Sequence, residues 1–193
     1  LKKARENKIQ LDWSDYTPPK PKFTGIKVFE NYSLEELAKY IDWTPFFATW
    51  QLRGKFPAIL EDEIVGEECK KLYNDARSML RQIIDEKWLT ANAVIGLFPA
   101  NSINDDDIEI YANDDRTEVQ FILNNLRQQR QKAPGQFNNS LTDFIAPKES
   151  SLEDYIGAFA VTTGIGIEEK VKAFEENHDD YNSIMLKALA DRL

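Results

Sequence analysis

The chain has 193 residues, a net charge of −9, one cysteine and one histidine. The length suits one domain with a real core, and the acidic balance argues against broad nucleic-acid binding, which needs clustered Lys and Arg. A lone cysteine excludes an internal disulfide and fits a reducing cytoplasm; a lone histidine leaves too few ligands for structural zinc; and no apolar run approaches the roughly 20 residues that span a bilayer.

Residues 1–22 read as an extended arm. The start, Leu1 to Lys8, is basic but lacks the apolar stretch of a signal peptide. Pro18, Pro19 and Pro21 block helix and favour an extended path, with Trp13 and Tyr16 as possible anchors. Gly25 to Glu30 alternates weakly and predicts a short strand.

Ser33 and Glu36 have the spacing of a capping box. The helix they open carries Leu34, Leu37, Ala38 and Ile41 on one face and is expected to end before Pro45. Asp42 is thereby placed near a helix C-terminus, where the dipole disfavours an anion. Glu61 to Lys87 holds an apolar stripe through Ile64, Cys69, Leu72, Ala76, Leu80 and Ile83 and predicts a long helix. Cys69 falls on that stripe and reads as inert core.

Ala93 to Phe98 predicts a buried strand closed by Pro99. Asp107–Tyr111 and Thr117–Leu123 predict an antiparallel hairpin around Asn113-Asp114-Asp115. Asp105-Asp106-Asp107 lacks the spaced ligands and glycine of a calcium loop and is expected to be a solvated turn. Gln128 to Asn139 reads as a loop, Tyr155 to Val161 as a strand and Ile167 to Glu176 as a helix. Thr163-Gly164-Ile165-Gly166 lacks the third glycine of a dinucleotide fingerprint. His178, Asp179 and Asp180 look like the cap region of a last helix rather than a metal site. That helix carries Tyr181, Ile184, Met185, Ala188, Leu189 and Leu193, has no Gly, Asn or Pro stop, and is expected to run to the final residue, as in a cut through a longer helix.

Trp43, Phe46, Phe47 and Trp50 put four rings within eight residues around Asp42 and Pro45. Such a cluster is most often core, although one ring could stack on a flat or cationic ligand. Asp42 itself reads, on its own residues, as a cap for the following turn.

The segment Ile41-Asp42-Trp43-Thr44-Pro45-Phe46-Phe47, followed by Trp50-Gln51-Leu52-Arg53-Gly54-Lys55-Phe56-Pro57, closely resembles the S-adenosylmethionine-binding activation domain of cobalamin-dependent methionine synthase. Further blocks follow in the family's order. They include Leu60 to Gly66, Gly96-Leu97-Phe98-Pro99-Ala100-Asn101, Asp143 to Lys148, Asp154 to Thr162, His178 to Asn182 and Lys187 to Leu193. The resemblance covers nearly the whole chain. It implies an α+β fold, a twisted antiparallel sheet flanked by helices, with residues 23–193 forming the N-terminal portion of the domain. In the family the domain continues further, into an Arg-containing segment and a Gly-Tyr-Pro element that form much of the ligand site.

By this resemblance Asp42 matches the family's ligand-binding aspartate, and a carboxylate suits the ammonium and sulfonium of S-adenosylmethionine. The implied function is reactivation of methionine synthase, in which S-adenosylmethionine remethylates cob(II)alamin held by a neighbouring cobalamin-binding domain. An electron comes from flavodoxin or a similar reductase. The cofactor carries the chemistry, so no catalytic side chain and no metal ligand is expected, and the fragment alone is expected to be inactive. The rival reading is a non-catalytic docking module that contacts the cobalamin domain and a reductase by surface complementarity. Flavodoxins are acidic, as is this chain, so docking calls for a basic patch, with Arg127, Arg130 and Lys132 as candidates.

Overall fold

A computed structural model describes residues 2–193. The architecture is α+β. Five strands form one antiparallel sheet: β1 (Gly25–Phe29), β2 (Thr90–Ile103), β3 (Asp107–Tyr111), β4 (Val119–Asn124) and β5 (Asp154–Ile165). Their order is β1-β2-β3-β4, with β5 pairing β2. Among the described residues six helices accompany them: α1 (Lys2–Glu6), α2 (Leu34–Leu37), α3 (Trp43–Thr49), α4 (Gly66–Asp85), α5 (Ile167–Glu176) and α6 (Asp180–Ala190). No described helix is long and apolar enough to cross a membrane. The chain divides into two compact units. One combines the residues up to Lys27 with Ile95–Phe159; the other combines Val28–Val94 with Ala160–Leu193.

In the first unit the expected hairpin is present. Ile108 faces Leu123 and Ile110 faces Phe121, so alternate residues of β3 reach one apolar face. Ile108, Ile110 and Ala100 are buried there, with Phe98, Leu123, Ile145 and Ile156 packed against them. The strand predicted to stop at Pro99 instead continues to Ile103. Its pairing with β3 begins at Ala100, one residue later, so the prolyl nitrogen interrupts no β2–β3 bond. The arm is not extended throughout, because residues 2–6 are helical and bury Ala4. The proline-bearing part is free of regular structure, as its composition implies.

The second unit is built on α4. Cys69, Leu72, Ala76, Met79, Leu80 and Ile83 are buried along one stripe. Spacings of three and four residues keep them on one face. The helix starts at Gly66 rather than Glu61. Asp62 accepts hydrogen bonds from the backbone N–H groups of Ile64 and Val65 at 2.9 and 3.0 Å, which forms a turn instead of a first helical turn. Ile64 therefore points to solvent, 92% exposed, and does not belong to the stripe. Burial pushes the Cys69 thiol up, as expected of an inert core cysteine.

In α6, Met185, Leu186 and Leu189 are fully buried while Tyr181 and Ile184 stay exposed, so the inner face is turned relative to the predicted stripe. The helix ends at Ala190, three residues earlier than its periodicity suggests. Asp179 caps its start, accepting from the N–H of Asn182 at 3.1 Å, and exposed His178 sits in a left-handed turn just before it. The pair forms a cap region, as their spacing implies.

Candidate functional site

The candidate site is built around Asp42, in the second unit. Two short helices flank it. Ser33 Oγ accepts from the N–H of Glu36 at 3.2 Å and starts α2. That helix lasts only Leu34–Leu37, then tightens into a 3-10 turn, Ala38–Tyr40. The backbone becomes extended at Ile41 and Asp42, and α3 begins at Trp43.

Asp42 is consequently not at a helix C-terminus. It is the N-cap of α3, with Oδ1 accepting from the N–H of Thr44 at 3.0 Å. Pro45 lies in the first turn of α3 and does not end the helix before it. Proline is also favoured in a helix's first turn, where its missing N–H is not needed. The dipole argument accordingly reverses, since an anion is stabilised at an N-terminus. Asp42 is exposed, and no ion pair to it exists among the described residues. One oxygen caps the helix; the other lies open to a cationic group from outside.

The adjacent rings are mainly core. Phe46 and Phe47 are fully buried and Trp43 is 9% exposed. Trp43 meets Tyr73 edge-on with centroids 4.9 Å apart, and Phe47 stacks on Phe56 at 6.3 Å. Thr44 Oγ1 accepts from the N–H of Phe56 at 3.2 Å, which ties the start of α3 to the loop after it. Asp42 therefore projects from a helix whose inner face is locked by packing.

Trp50 differs from the other three rings. It is half-buried, and its indole Nε1 is shielded without a hydrogen-bond partner among the described residues. Its ring lies 5.1 Å from that of Tyr181, whose hydroxyl donates to Asp75 Oδ2 at 2.8 Å. Partial burial of the phenol, reinforced by the Asp75 carboxylate, pushes the Tyr181 pKa up to about 12 from the ordinary 10. The protonated phenol is the favoured form. Its contribution to stability is complete below pH 10 and is withdrawn as pH rises through 12. Ultraviolet titration should find one tyrosine ionising near 12, and Asp75→Asn should bring it back toward 10. No change in the Asp75→Asn protein would show that the hydrogen bond does not hold the phenol.

Other sequence candidates separate from Asp42. Arg127, proposed for a basic docking patch, is a buried residue of the first unit with a fully covered side chain. It cannot meet a partner protein. Arg130 is exposed and Lys132 half-buried. The acidic turn at Asp105 and Asp106 is ion-paired rather than simply solvated, to Lys8 at 2.7 Å and to Arg127 at 3.1 Å respectively. Among the described residues no group of three or more His, Cys, Asp or Glu could hold a metal ion.

These features define an α+β domain whose candidate ligand contact is an open carboxylate at a helix N-cap, set on an aromatic core. The model of the vitamin B12 dependent methionine synthase activation domain matches residues 33–193, and the chain belongs to that family. A crystal structure of a MetH reactivation domain bound to AdoHcy is 53% identical, with a TM-score of 0.91. The match covers 100% of this chain and 58% of that one, so the chain spans little more than half the length of its solved relative.

Proposed function

We propose that this chain is part of a methionine synthase reactivation module that binds S-adenosylmethionine for the reductive methylation of cob(II)alamin. The observation that carries the reading is the family match over residues 33–193, joined to 53% identity with a domain crystallised with AdoHcy. In this reading residues 23–193 are the N-terminal portion of the activation domain and residues 1–22 its leading arm. S-adenosylmethionine supplies the methyl group, and cobalamin is held by a neighbouring domain of a cobalamin-dependent methyltransferase. Flavodoxin or a similar reductase is the proposed electron source. The chain by itself is proposed to be inactive, since it supplies one side of the ligand site.

Asp42 is the proposed ligand contact. Its chemistry fits: an exposed carboxylate with one uncommitted oxygen can accept a hydrogen bond from the ligand's ammonium. Because Oδ1 is held by the N–H of Thr44, the group is already oriented before the ligand arrives.

Two substitutions separate the cap from the contact. Asn caps helices about as well as Asp. Asp42→Asn should therefore leave stability within about 0.5 kcal/mol while weakening ligand binding by about tenfold, the loss of one charge-assisted bond. Asp42→Ala should lose the same affinity and about 1 kcal/mol of stability besides. Calorimetry with S-adenosylhomocysteine, on a longer chain spanning the full matched domain, makes the comparison. Unchanged affinity in Asp42→Asn would reduce Asp42 to a cap. Absence of binding by the parent long chain would remove the ligand reading and favour a docking module.

A further inference from the structure

Among its described residues the arm of the first unit has no strand pairing of its own, yet it is tied down at both ends. Arg5 Nε and Nη2 donate to Asp106 Oδ2 at 3.0 and 2.7 Å, and Lys8 Nζ donates to Asp105 Oδ1 at 2.7 Å. Asn7 Nδ2 donates to Asn138 Oδ1 at 2.8 Å, and the carbonyl of Asn7 accepts from the N–H of Asn138 at 3.0 Å. Further along, Pro18 is buried and Lys20 Nζ lies 3.7 Å from Asp114. Between these anchors, Ile9, Leu11 and Trp13 form one wall of a cavity of about 270 Å³. Thr142, Ile145 and Pro147 of the body also line it.

The arm and the body beneath it are held by forces of different kinds. Arg5, Lys8 and Asp105 keep 43%, 31% and 41% of their side chains in water, while Asp106 keeps 14%. Ion pairs with a partner so exposed are worth about 1 kcal/mol each and are screened by salt. The body keeps its own network without the arm. Asp106 gives Oδ2 to Arg5 but Oδ1 to Arg127, and Arg127 retains both oxygens of Asp143. Losing the arm breaks none of the bonds Arg127 makes; Asn138, which accepts from Arg127, gives up its bonds to Asn7 but keeps those to the Gln128 and Arg130 carbonyls. The only apolar residue of α1 that is buried is Ala4, which offers little area to hold the arm in place.

We infer that residues 2–13 are a detachable strap, docked across this cavity by the Arg5–Asp106 and Lys8–Asp105 pairs together with the Asn7–Asn138 hydrogen bonds. Screening the ion pairs weakens this docking, so that the strap opens as one piece more often, exposing the cavity while the rest of the unit stays folded. The inference is independent of the ligand reading at Asp42. It belongs to the class of local opening that costs less than global unfolding.

Chymotrypsin tests it on the whole chain, because Leu11, Trp13 and Tyr16 are cleavage points within or just beyond the strap. In Arg5→Glu/Lys8→Glu, cleavage between residues 11 and 16 should accelerate about tenfold, and wild type should do the same between low salt and about 1 M salt. Circular dichroism melting should be unchanged. Lys8→Glu combined with Asp105→Lys restores an ion pair of reversed sense and should slow cleavage again relative to Lys8→Glu alone. Cleavage indifferent to both charge and salt would overturn the inference, and so would acceleration matched by a fall in melting temperature. The first would mean that the ion pairs do not hold the arm; the second would mean that the arm is integral to the fold.

Discussion

Arg127→Met should destabilise the first unit by about 3–5 kcal/mol, the cost of leaving buried carboxylates without their cation. The guanidinium is fully covered, and every N–H it carries is used. Nε donates to Asp106 Oδ1 at 3.1 Å; Nη1 donates to Asp143 Oδ2 at 2.7 Å and to the Asn138 carbonyl at 2.9 Å. Nη2 donates to Asp143 Oδ1 at 2.7 Å and to the Asp105 carbonyl at 2.6 Å. Asp143, only 5% exposed, is in turn fixed by the N–H of Ser140 at 2.9 Å. Burial acts against the charged guanidinium, but the Asp143 carboxylate outweighs it and holds the Arg127 pKa above its usual value. Met matches the length of the side chain but supplies no donor. Arg127→Lys keeps the charge yet lacks the planar fork, so it should fall between wild type and Met. A global melt could blend the two units, so the measurement is hydrogen exchange of the β3 and β4 amides. A loss below about 1 kcal/mol would mean that water replaces the guanidinium readily and the network is not a true anchor.

Arg127 also shows where sequence reading stops. One arginine in a polar loop looks the same whether it faces a partner protein or the interior. Nothing local reveals that Asp105, Asp106, Asn138 and Asp143 converge on it, because those contacts span up to 22 residues. Asp42 is legible in part. Its cap on the following turn through Thr44 follows from the residues, but a proline is compatible with both a helix end and a helix start, so the helix that Asp42 opens does not. What periodicity could carry, it carried. The core stripe from Cys69 to Ile83, the β3–β4 hairpin and the bounds of α5 follow from spacing alone. The family resemblance, resting on ordered blocks, agrees with the match over residues 33–193. The small helix α1 and the ion pairs of the arm were beyond it, since a five-residue helix has no periodicity to detect.

Phe47→Ala should cost about 3–5 kcal/mol in the second unit, as expected for removing a fully buried aromatic ring. Phe47 is stacked on Phe56 at 6.3 Å, tilted against Tyr73 at 6.5 Å and edge-on to Phe46 at 5.6 Å. Its carbonyl also accepts from the N–H groups of Trp50 and Leu52, at 3.1 Å each, closing the end of α3. Removing the ring leaves a void among side chains that cannot all move to fill it. Phe47→Leu keeps much of the volume and should cost roughly 1–2 kcal/mol. Tryptophan fluorescence during urea unfolding suits the measurement, because Trp43 opens α3 and Trp50 is its C-cap, on either side of Phe47 in the chain. The aromatic run around Asp42 then sorts by outcome. Phe47→Ala should lower stability and ligand affinity together, since α3 loosens and carries Asp42 with it. Asp42→Asn should lower affinity alone. If Phe47→Ala kept full stability, the rings would not be the packing that sets Asp42 in place, and their role would have to be sought at the ligand.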